Sequence, residues 1–461
     1  MKITHSALVA ASFVAAITSP GELDSTSRTS IKNVASTLAY GTMSYYTGNV
    51  TNTPETIATL PDPYYWWEAG AMWGAMLDYC HYTGDESYVD TVTEALLSQV
   101  GPDLNYMNPV HYGSTGNDDQ AFWGFAVLSA AERNLPQPQT DMPSWLTLSE
   151  NLWNSMVSRW NVTHCGGGFT WQIFAENPNG MNYKNSVSNG GFFQLSARLA
   201  RATGNETYTD WATKVWDWSE AVGLVSSSGH VFDGTDSSDN CTDINHLTFS
   251  YSQGIYMYGA AVMANYTQDT EWSDRAALML DAAENRFFSP YDNATDIMFE
   301  QACETVGTCN VDMKSFKGYL ARFMWSTTKM LPALTDRINS VLTVSATAAA
   351  QACTGGDNGT VCGQKWYVGG FDGETGLGQQ MGALEIIQGL LVQEADAPYA
   401  SSEIEDVRPS AAAAPVTPSP APSKRSGIAD EDGEEDAALS LRVNTVMVTL
   451  FVGLALIALG L

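Results

Sequence analysis

The sequence predicts an all-α protein, an (α/α)6 toroid of six inner and six outer helices. Three observations in residues 20–393 carry this prediction. Two kinds of helical segment alternate along the chain. One kind is amphipathic and the other is apolar nearly all round. Every segment of the second kind opens on a polar, aromatic or glycine cluster. A helix with one polar face belongs at a surface, and a helix apolar on all faces belongs inside. A repeat of such pairs over most of a chain marks a helical array.

Taken in order, the first outer segment covers residues 27–46. The first inner one covers 67–79 and is opened by Tyr65-Trp66-Trp67-Glu68. Outer 86–100 follows Asp85, a helix-start residue, and leads to inner 119–132, opened by Asn117-Asp118-Asp119-Gln120. Outer 143–160 precedes inner 190–202, which starts at Ser188-Asn189-Gly190-Gly191. Outer 206–222 precedes inner 253–265, which starts at Tyr251-Ser252-Gln253-Gly254. Outer 271–288, begun by Thr270, pairs with inner 316–329 and Ser315-Phe316-Lys317-Gly318. Outer 331–350 pairs with inner 376–393 and Asp372-Gly373-Glu374-Thr375. The glycines and alanines of the inner set let helices approach closely. Six inner N-termini meeting at one end gather free N–H groups and partial positive charge around one mouth. That setting favours carboxylates and hydroxyl acceptors.

Two loop stretches belong at the rims. Cys165-Gly166-Gly167-Gly168-Phe169-Thr170-Trp171-Gln172 reads as a hairpin-forming glycine turn. Residues 226–245 are polar and contain Asp233, Asp236, Asp239 and Asp243, but their spacing lacks the pattern of a calcium loop.

The ends address the chain to the cell surface. Residues 1–19 read as a secretory signal peptide: Lys2, an apolar run from Ala7 to Ile17, then Thr18 and Ser19. The folded domain is expected over 20–395. A Pro/Ser/Ala-rich stalk, 396–426, follows. Residues 427–461 end in an apolar tail with nothing basic behind it, the layout of a GPI-attachment signal that is removed. Seven cysteines suit an oxidising compartment. Cys303 with Cys309 and Cys353 with Cys362 are near enough to close small loops, and one cysteine is left over. Seven sequons, at Asn49, Asn161, Asn205, Asn240, Asn265, Asn293 and Asn358, are expected on the surface as glycosylation sites.

A net charge of −30 argues against nucleic acid as a partner. Only 16% of residues are charged while 11% are aromatic, a balance that suits sugar binding because the C–H faces of sugars pack on rings. The six histidines show no metal spacing, and neither a Gly-x-Ser-x-Gly elbow nor a phosphate loop is found. No cofactor and no metal is expected, and the protein is read as a monomer.

Carboxylates are therefore the groups left for chemistry. Asp118 and Asp119 stand together at the start of an apolar helix. Cleavage of a glycosidic bond uses two carboxyl groups, about 5–5.5 Å apart when configuration is retained. Crowding two of them raises one pKa, so that one group can serve as acid. A mildly acidic optimum is the expectation. The competing reading is a plain helix cap, since Asn and Asp cap well.

The run Asn117-Asp118-Asp119-Gln120 with Trp123-Gly124 resembles the signature of glycoside hydrolase family 76, the endo-α-1,6-mannanases. The resemblance extends to residues 64–74, 166–172, 184–198, 248–260 and 316–323. With its two end signals, the chain is most similar to the fungal GPI-anchored mannan endo-1,6-α-mannosidases of the cell wall. The resemblance implies the (α/α)6 fold and retention of configuration, with Asp118 as nucleophile and Asp119 as acid/base. It implies action on α-1,6-mannose in mannan or in the GPI glycan. In the fungal branch it also implies transfer of GPI-linked wall proteins to cell-wall glucan, at the membrane through a GPI anchor. Plain hydrolysis and non-catalytic mannan binding remain as alternatives. Trp66, Trp67, Trp123, Trp171 and Trp366 are candidate sugar platforms. Gln120, Asn189, Tyr251, Gln253 and Lys317 are candidate hydroxyl ligands, and Lys317 either meets a phosphate on a GPI glycan or neutralises nearby carboxylates. Glu68 and Glu374 are further cleft carboxylates, and an inverting enzyme would pair Asp119 with Glu374.

Overall fold

The computed structural model describes residues 18–405 apart from 54, 140, 176 and 178. The chain divides into two compact units, 1–410 and 411–461, and only the first contains described residues. Most of the segments read as signal peptide and stalk, and all of the segment read as a GPI-attachment signal, lie outside them.

Among the described residues, twelve long helices occupy the twelve predicted places. Six are outer: α1 (Arg28–Met43), α4 (Val89–Ser98), α6 (Trp145–Val157), α8 (Glu206–Val222), α10 (Thr270–Phe287) and α12 (Thr335–Ala352). Six are inner: α3 (Trp66–Thr83), α5 (Asn117–Glu132), α7 (Ser186–Thr203), α9 (Ser250–Thr267), α11 (Phe316–Met330) and α13 (Leu377–Gln388). The single turn α2 (Gly48–Thr51) completes the set. Each inner helix packs on the next, and α13 returns to α3 to close the ring.

The two helix classes show why. In outer α10 the buried residues Trp272, Ala276, Met279, Leu280 and Ala283 recur at three- and four-residue spacing, so one stripe meets the core. In inner α5 every residue except Asp118 and Ser129 is buried. Close approach in the inner ring needs small residues. A Cβ on Gly318 of α11 would lie 2.8 Å from the Gly382 Cα of α13.

Helix starts differ in detail from the sequence reading. Asp85 lies ahead of α4, where Tyr88 is the cap position, and Oδ1 of Asp85 accepts the Ser87 N–H at 3.0 Å. Asp269, not Thr270, caps α10 and accepts the Glu271 N–H. More important, α7 and α9 begin four and three residues earlier than predicted, at Ser186 and Ser250.

The rim between α6 and α9 carries a small antiparallel sheet of order β1 (Tyr183–Asn185), β2 (Gly234–Asp236), β3 (Ile244–Asn245). Its register sets Asn185 opposite Gly234 and Gly234 opposite Asn245. The disulfide Cys165–Cys241 joins this region to the glycine turn. Cys303–Cys309 and Cys353–Cys362 close the two short loops, and Cys80 is the free cysteine.

Residues 396–405, read from sequence as the start of the stalk, lie under the C-terminal ends of the inner helices. The Tyr399 N–H donates to Glu132 O at 2.7 Å, and the Ser401 N–H to Arg201 O at 3.2 Å. Arg201 donates in turn to the carbonyls of Pro398 and Tyr399. Six sequon asparagines are exposed. Asn265 is only half-exposed, and its amide is engaged: Nδ2 donates to Met330 O and Oδ1 accepts from Arg201.

Candidate active site

The N-terminal ends of α3, α5, α9 and α11 surround a cleft of about 380 Å³. The sheet closes one side, and the loop ahead of α11 closes the other with Asn310, Asp312 and Met313.

Helical geometry decides which first-turn residues face this cleft. Trp67, Asp118 and Tyr251 are each second in their helices, and all three line it. Gln120, Asn189 and Gln253 are each fourth. Two residues further along is a rotation of about 200°, so their amides point away from the cleft. Gln120 Nε2 donates to Asn105 O at 2.8 Å. Asn189 brackets Phe169, accepting its N–H at 2.9 Å and donating to its carbonyl at 3.1 Å. Gln253 accepts the Val231 N–H and donates to Gly229 O and Met279 O. These three predicted sugar ligands instead pin loops. The late placement of the α7 and α9 starts is what misassigned Asn189 and Gln253.

Other predicted residues also leave the cleft. Trp123 is fully buried, donates to Trp66 O at 3.2 Å and stacks between Trp66 and Tyr106. Lys317 is buried against Glu304 at 2.7 Å and over the ring of buried Trp366, so it cannot meet a substrate phosphate. Glu68 is buried and caps α3 through the Tyr65 N–H at 2.8 Å. Burial pushes its carboxyl up to about 8. Glu374 pairs with Lys314 at 3.0 Å and does not line the cleft, which removes it as an inverting partner for Asp119. Trp66, Trp67 and Trp171 do line the cleft, and Trp171 keeps 37% of its surface exposed at the rim.

Asp118 and Asp119 sit on the cleft floor at a rigid junction. Gly116 bridges to Gln172, the Asn117 N–H donates to Trp171 O at 2.9 Å, and Asn117 Nδ2 donates to Thr170 O at 2.8 Å. The glycine turn and the start of α5 are thus one piece. Asp119 Oδ2 accepts the Gly116 N–H at 2.5 Å. A Cβ at position 116 would lie 2.4 Å from Asp118 Oδ1 and 2.8 Å from Asp119 Oδ2. Only glycine fits there. The two oxygens are therefore at most about 5.2 Å apart, the two distances laid end to end.

Both carboxyls are displaced upward. Burial raises Asp118 to about 7. Burial and then the Asp118 charge raise Asp119 well above the usual carboxylate range. Asp312, which accepts from Trp67 Nε1 at 3.2 Å, adds its negative charge to both. No cationic side chain is among the described residues that line the cleft. Four aspartates are, namely Asp118, Asp119, Asp233 and Asp312. Such a cleft suits a neutral substrate and repels anionic polymers.

Sequence reasoning missed the side walls. Tyr183 donates to Asp233 Oδ2 at 2.6 Å, and Asn245 Nδ2 donates to the same oxygen at 3.0 Å. These residues come from three separate stretches of chain. Asp233 had been weighed only as a calcium ligand. Asn185 and Asp312 carried no signal of their own. Among the described residues no cluster of His, Cys, Asp or Glu is arranged to hold a metal ion.

Comparison with known proteins adds the following. The model of glycosyl hydrolase family 76 matches residues 30–402. The chain is 44% identical over 403 residues to the mannan endo-1,6-alpha-mannosidase DCW1 of Eremothecium gossypii, covering 87% of each. It is 43% identical over 390 residues to DCW1 of Saccharomyces cerevisiae, covering 84% of this chain and 85% of that protein. Among solved structures, Dfg5 from Chaetomium thermophilum in complex with glucosamine is similar with a TM-score of 0.78 at 41% identity, over 83% of this chain and 95% of that one. An inactive variant of an alpha-1,6-mannanase from Salegentibacter, in complex with alpha-1,6-mannotriose, shares the fold with a TM-score of 0.61 at 20% identity, over 78% and 99%.

Proposed function

This chain belongs to glycosyl hydrolase family 76, and we propose from that membership that it is an endo-1,6-α-mannosidase that works by retention, with Asp118 as nucleophile and Asp119 as acid/base. The single observation that carries the mechanism is the separation of the two carboxyls. An upper limit of about 5.2 Å between Asp118 Oδ1 and Asp119 Oδ2 is compatible with retaining spacing and lies below the 6.5–9.5 Å that an inverting site requires.

The steps follow from the two environments. Asp119, buried and raised well above the usual carboxylate range by that burial and by the charge of Asp118, holds the proton and gives it to the glycosidic oxygen as the bond to the anomeric carbon breaks. Asp118, ionised, attacks that carbon and forms a glycosyl ester. An acceptor hydroxyl then attacks the same carbon, Asp119 takes back a proton, and the Asp118 carboxylate leaves. Trp67, Tyr251 and Phe316 supply ring faces along the cleft. Asp233 and Asp312 supply acceptors for sugar hydroxyls.

The reaction partner in the second half decides between transfer and hydrolysis. We favour transfer of a mannosyl glycan, such as that of a GPI-linked wall protein, to cell-wall glucan. The exposed rings of Tyr65 and Trp171 at the cleft rim offer a seat for an acceptor sugar. A phosphate on the substrate must stay outside the cleft, because no cation lines it. The signal peptide, the three disulfides and the apolar tail support secretion and a GPI anchor.

The test incubates the protein with an α-1,6-mannooligosaccharide and a tagged glucan acceptor, and follows product mass and anomeric configuration. Tagged products of retained α-configuration, absent with Asp118→Asn and with Asp119→Asn, are expected. Shortened products alone reduce the reading to a hydrolase. Inverted products, or turnover that survives both substitutions, reject the mechanism. Binding without any turnover would leave a mannan-binding protein.

A further inference from the structure

Resting on the functional reading just proposed, we infer that Gln172 is a specificity-determining residue: its side-chain amide binds a ring hydroxyl of the sugar whose anomeric carbon meets Asp118. The glycine turn ends on Thr170-Trp171-Gln172, and its last residue is joined to the start of α5. Gln172 pairs with Gly116 in an antiparallel bridge, its N–H donates to Gly180 O at 3.2 Å, and its carbonyl accepts Thr170 Oγ1 at 3.0 Å. The backbone of Gln172 is thus held from three sides. A Cβ at Gly116 would lie 2.9 Å from Trp171 O and 2.4 Å from Asp118 Oδ1. Laid end to end, these distances put the Trp171 carbonyl oxygen within about 5.3 Å of the Asp118 oxygen. Gln172 follows directly on that carbonyl, so it enters the cleft wall beside the nucleophile.

The side chain sets Gln172 apart from the other amides of the mouth. Gln120, Asn189 and Gln253 each engage their amides with backbone groups. Gln172 lines the cleft with only 3% of its surface exposed, and its Oε1 is buried with no hydrogen-bond partner among the described residues. Turning the amide over would only put an unpaired donor in the same place. Buried amides are almost always paired, because an unpaired one keeps the full cost of its lost hydration. Asp118 Oδ1 is a second buried acceptor in this cleft with no donor among the described residues. Two acceptors without protons, in a cleft where no described lining residue is a cation, fit a neutral ligand rich in hydroxyls. A sugar hydroxyl donating to Oε1 satisfies it, and the N–H2 of the same amide is placed to donate to the next hydroxyl on the ring. A sugar that lacks the hydroxyl leaves the buried oxygen unpaired, which is the basis of strong discrimination.

The test is a cycle between the side chain and the hydroxyls. The full chain, as wild type and as Gln172→Met, is given an α-1,6-mannooligosaccharide and versions of it that lack each ring hydroxyl in turn on the sugar whose linkage is cut. On the intact substrate Gln172→Met should lose turnover at least about 10²-fold. Removal of one particular hydroxyl should cost wild type a similar factor, and should cost Gln172→Met less than about three-fold. Met matches Gln in length and takes away an unpaired buried acceptor, so the melting temperature should hold or rise. A packing role predicts the reverse: a lower melting temperature and the same fractional loss on every substrate. That result would overturn the inference, as would deoxy penalties that are equal in the two proteins. Gln172→Glu keeps both shape and acceptor. It should keep the wild-type ratio between intact and deoxy substrates at a lower rate, and it decides the matter if Gln172→Met does not fold, since loss of the ratio there counts against the inference. If wild type neither binds nor cleaves the intact oligosaccharide, the functional reading fails and this inference falls with it. If wild type cleaves it and no hydroxyl is coupled to position 172, this inference fails alone.

Discussion

The two ends of the helical ring hold their charges in opposite ways. At the N-terminal mouth, Asp118, Asp119, Asp233 and Asp312 face one cleft with no cation among them. At the C-terminal end, each buried arginine has a carboxylate: Arg198 with Glu132 at 2.7 Å, Arg322 with Asp78 at 3.2 Å and with Glu385, and Arg133 with Asp78. Helix dipoles favour acids at N-termini and bases at C-termini, yet Asp78, Glu132 and Glu385 stand in the C-terminal halves of inner helices. Dipoles do not explain the pairing. The lower end neutralises what it buries and is strapped by residues 396–405. The mouth leaves buried carboxyls without a counter-charge, an arrangement that costs stability and is kept where chemistry uses it.

The comparison breaks most sharply if each end is disarmed separately. Asp119→Asn should lower turnover at least about 10³-fold with no fall in melting temperature, read by parallel kinetics and thermal unfolding. Glu385→Ala should do the reverse. Arg322 keeps Asp78 but loses one of its two carboxylates, which should cost up to about 3–5 kcal/mol, measured as a lower denaturant midpoint, while the folded fraction keeps wild-type kcat. Loss of kcat in Glu385→Ala at full folding would mean that the two ends are coupled.

Gly116→Ala sharpens the comparison within the mouth. The added methyl would meet both carboxylates, so turnover should drop about 10²-fold with product configuration unchanged. A wild-type rate would show that the pair does not need its present geometry.

The raised carboxyls give stability a pH dependence of definite sign. Asp118, Asp119, Glu68 and Glu300 are all raised in the folded state, chiefly by burial, the last two to about 8. As pH rises from about 4 to about 8, the unfolded chain releases these protons first, so stability should fall across that window. Asp118→Asn should remove part of that fall, on the order of 1 kcal/mol at pH 8 and nothing near pH 4. Calorimetry of both proteins across the range checks this. In turnover, the acid limb tracks ionisation of the Asp pair and should lie well above 3.8, nearer 7. This moves the optimum from mildly acidic toward neutral. Asp119→Asn should abolish the alkaline limb of whatever activity remains.

The smallest effect expected is that of the strap. A chain ending at residue 395 loses the Tyr399 and Ser401 backbone bonds and the Arg201 contacts. It should be less stable than one ending at 405 by about 1–2 kcal/mol, with cleft kinetics unaltered.

How far the sequence reached can be judged residue by residue. The Asp pair was legible because adjacent carboxylates at the head of an apolar helix are a local pattern. Trp67 and Tyr251, expected at the mouth for the same reason, line the cleft. Gln120, Asn189 and Gln253 do not, although Gln120 lies two residues beyond Asp118 and Gln253 two beyond Tyr251. A two-residue step along a helix reverses the direction of a side chain, and a start set three or four residues late hides that step. Lys317 stood out as the lone cation among the helix starts. Its partner Glu304 lies on a loop whose path the sequence does not reveal.

The sequence by itself determined the order, number and class of the twelve long helices and the aspartates between which the cleft forms. Hydrophobic periodicity is written within a window of a dozen residues, and burial of an all-apolar helix leaves few alternatives. The tertiary structure alone decided what stands beside those aspartates. Asn185, Asp233 and Asp312 join them in the cleft from stretches far apart in the chain, as Cys165 meets Cys241 across 76 residues. Such meetings depend on the packing of the whole ring, which closes only when α13 returns to α3.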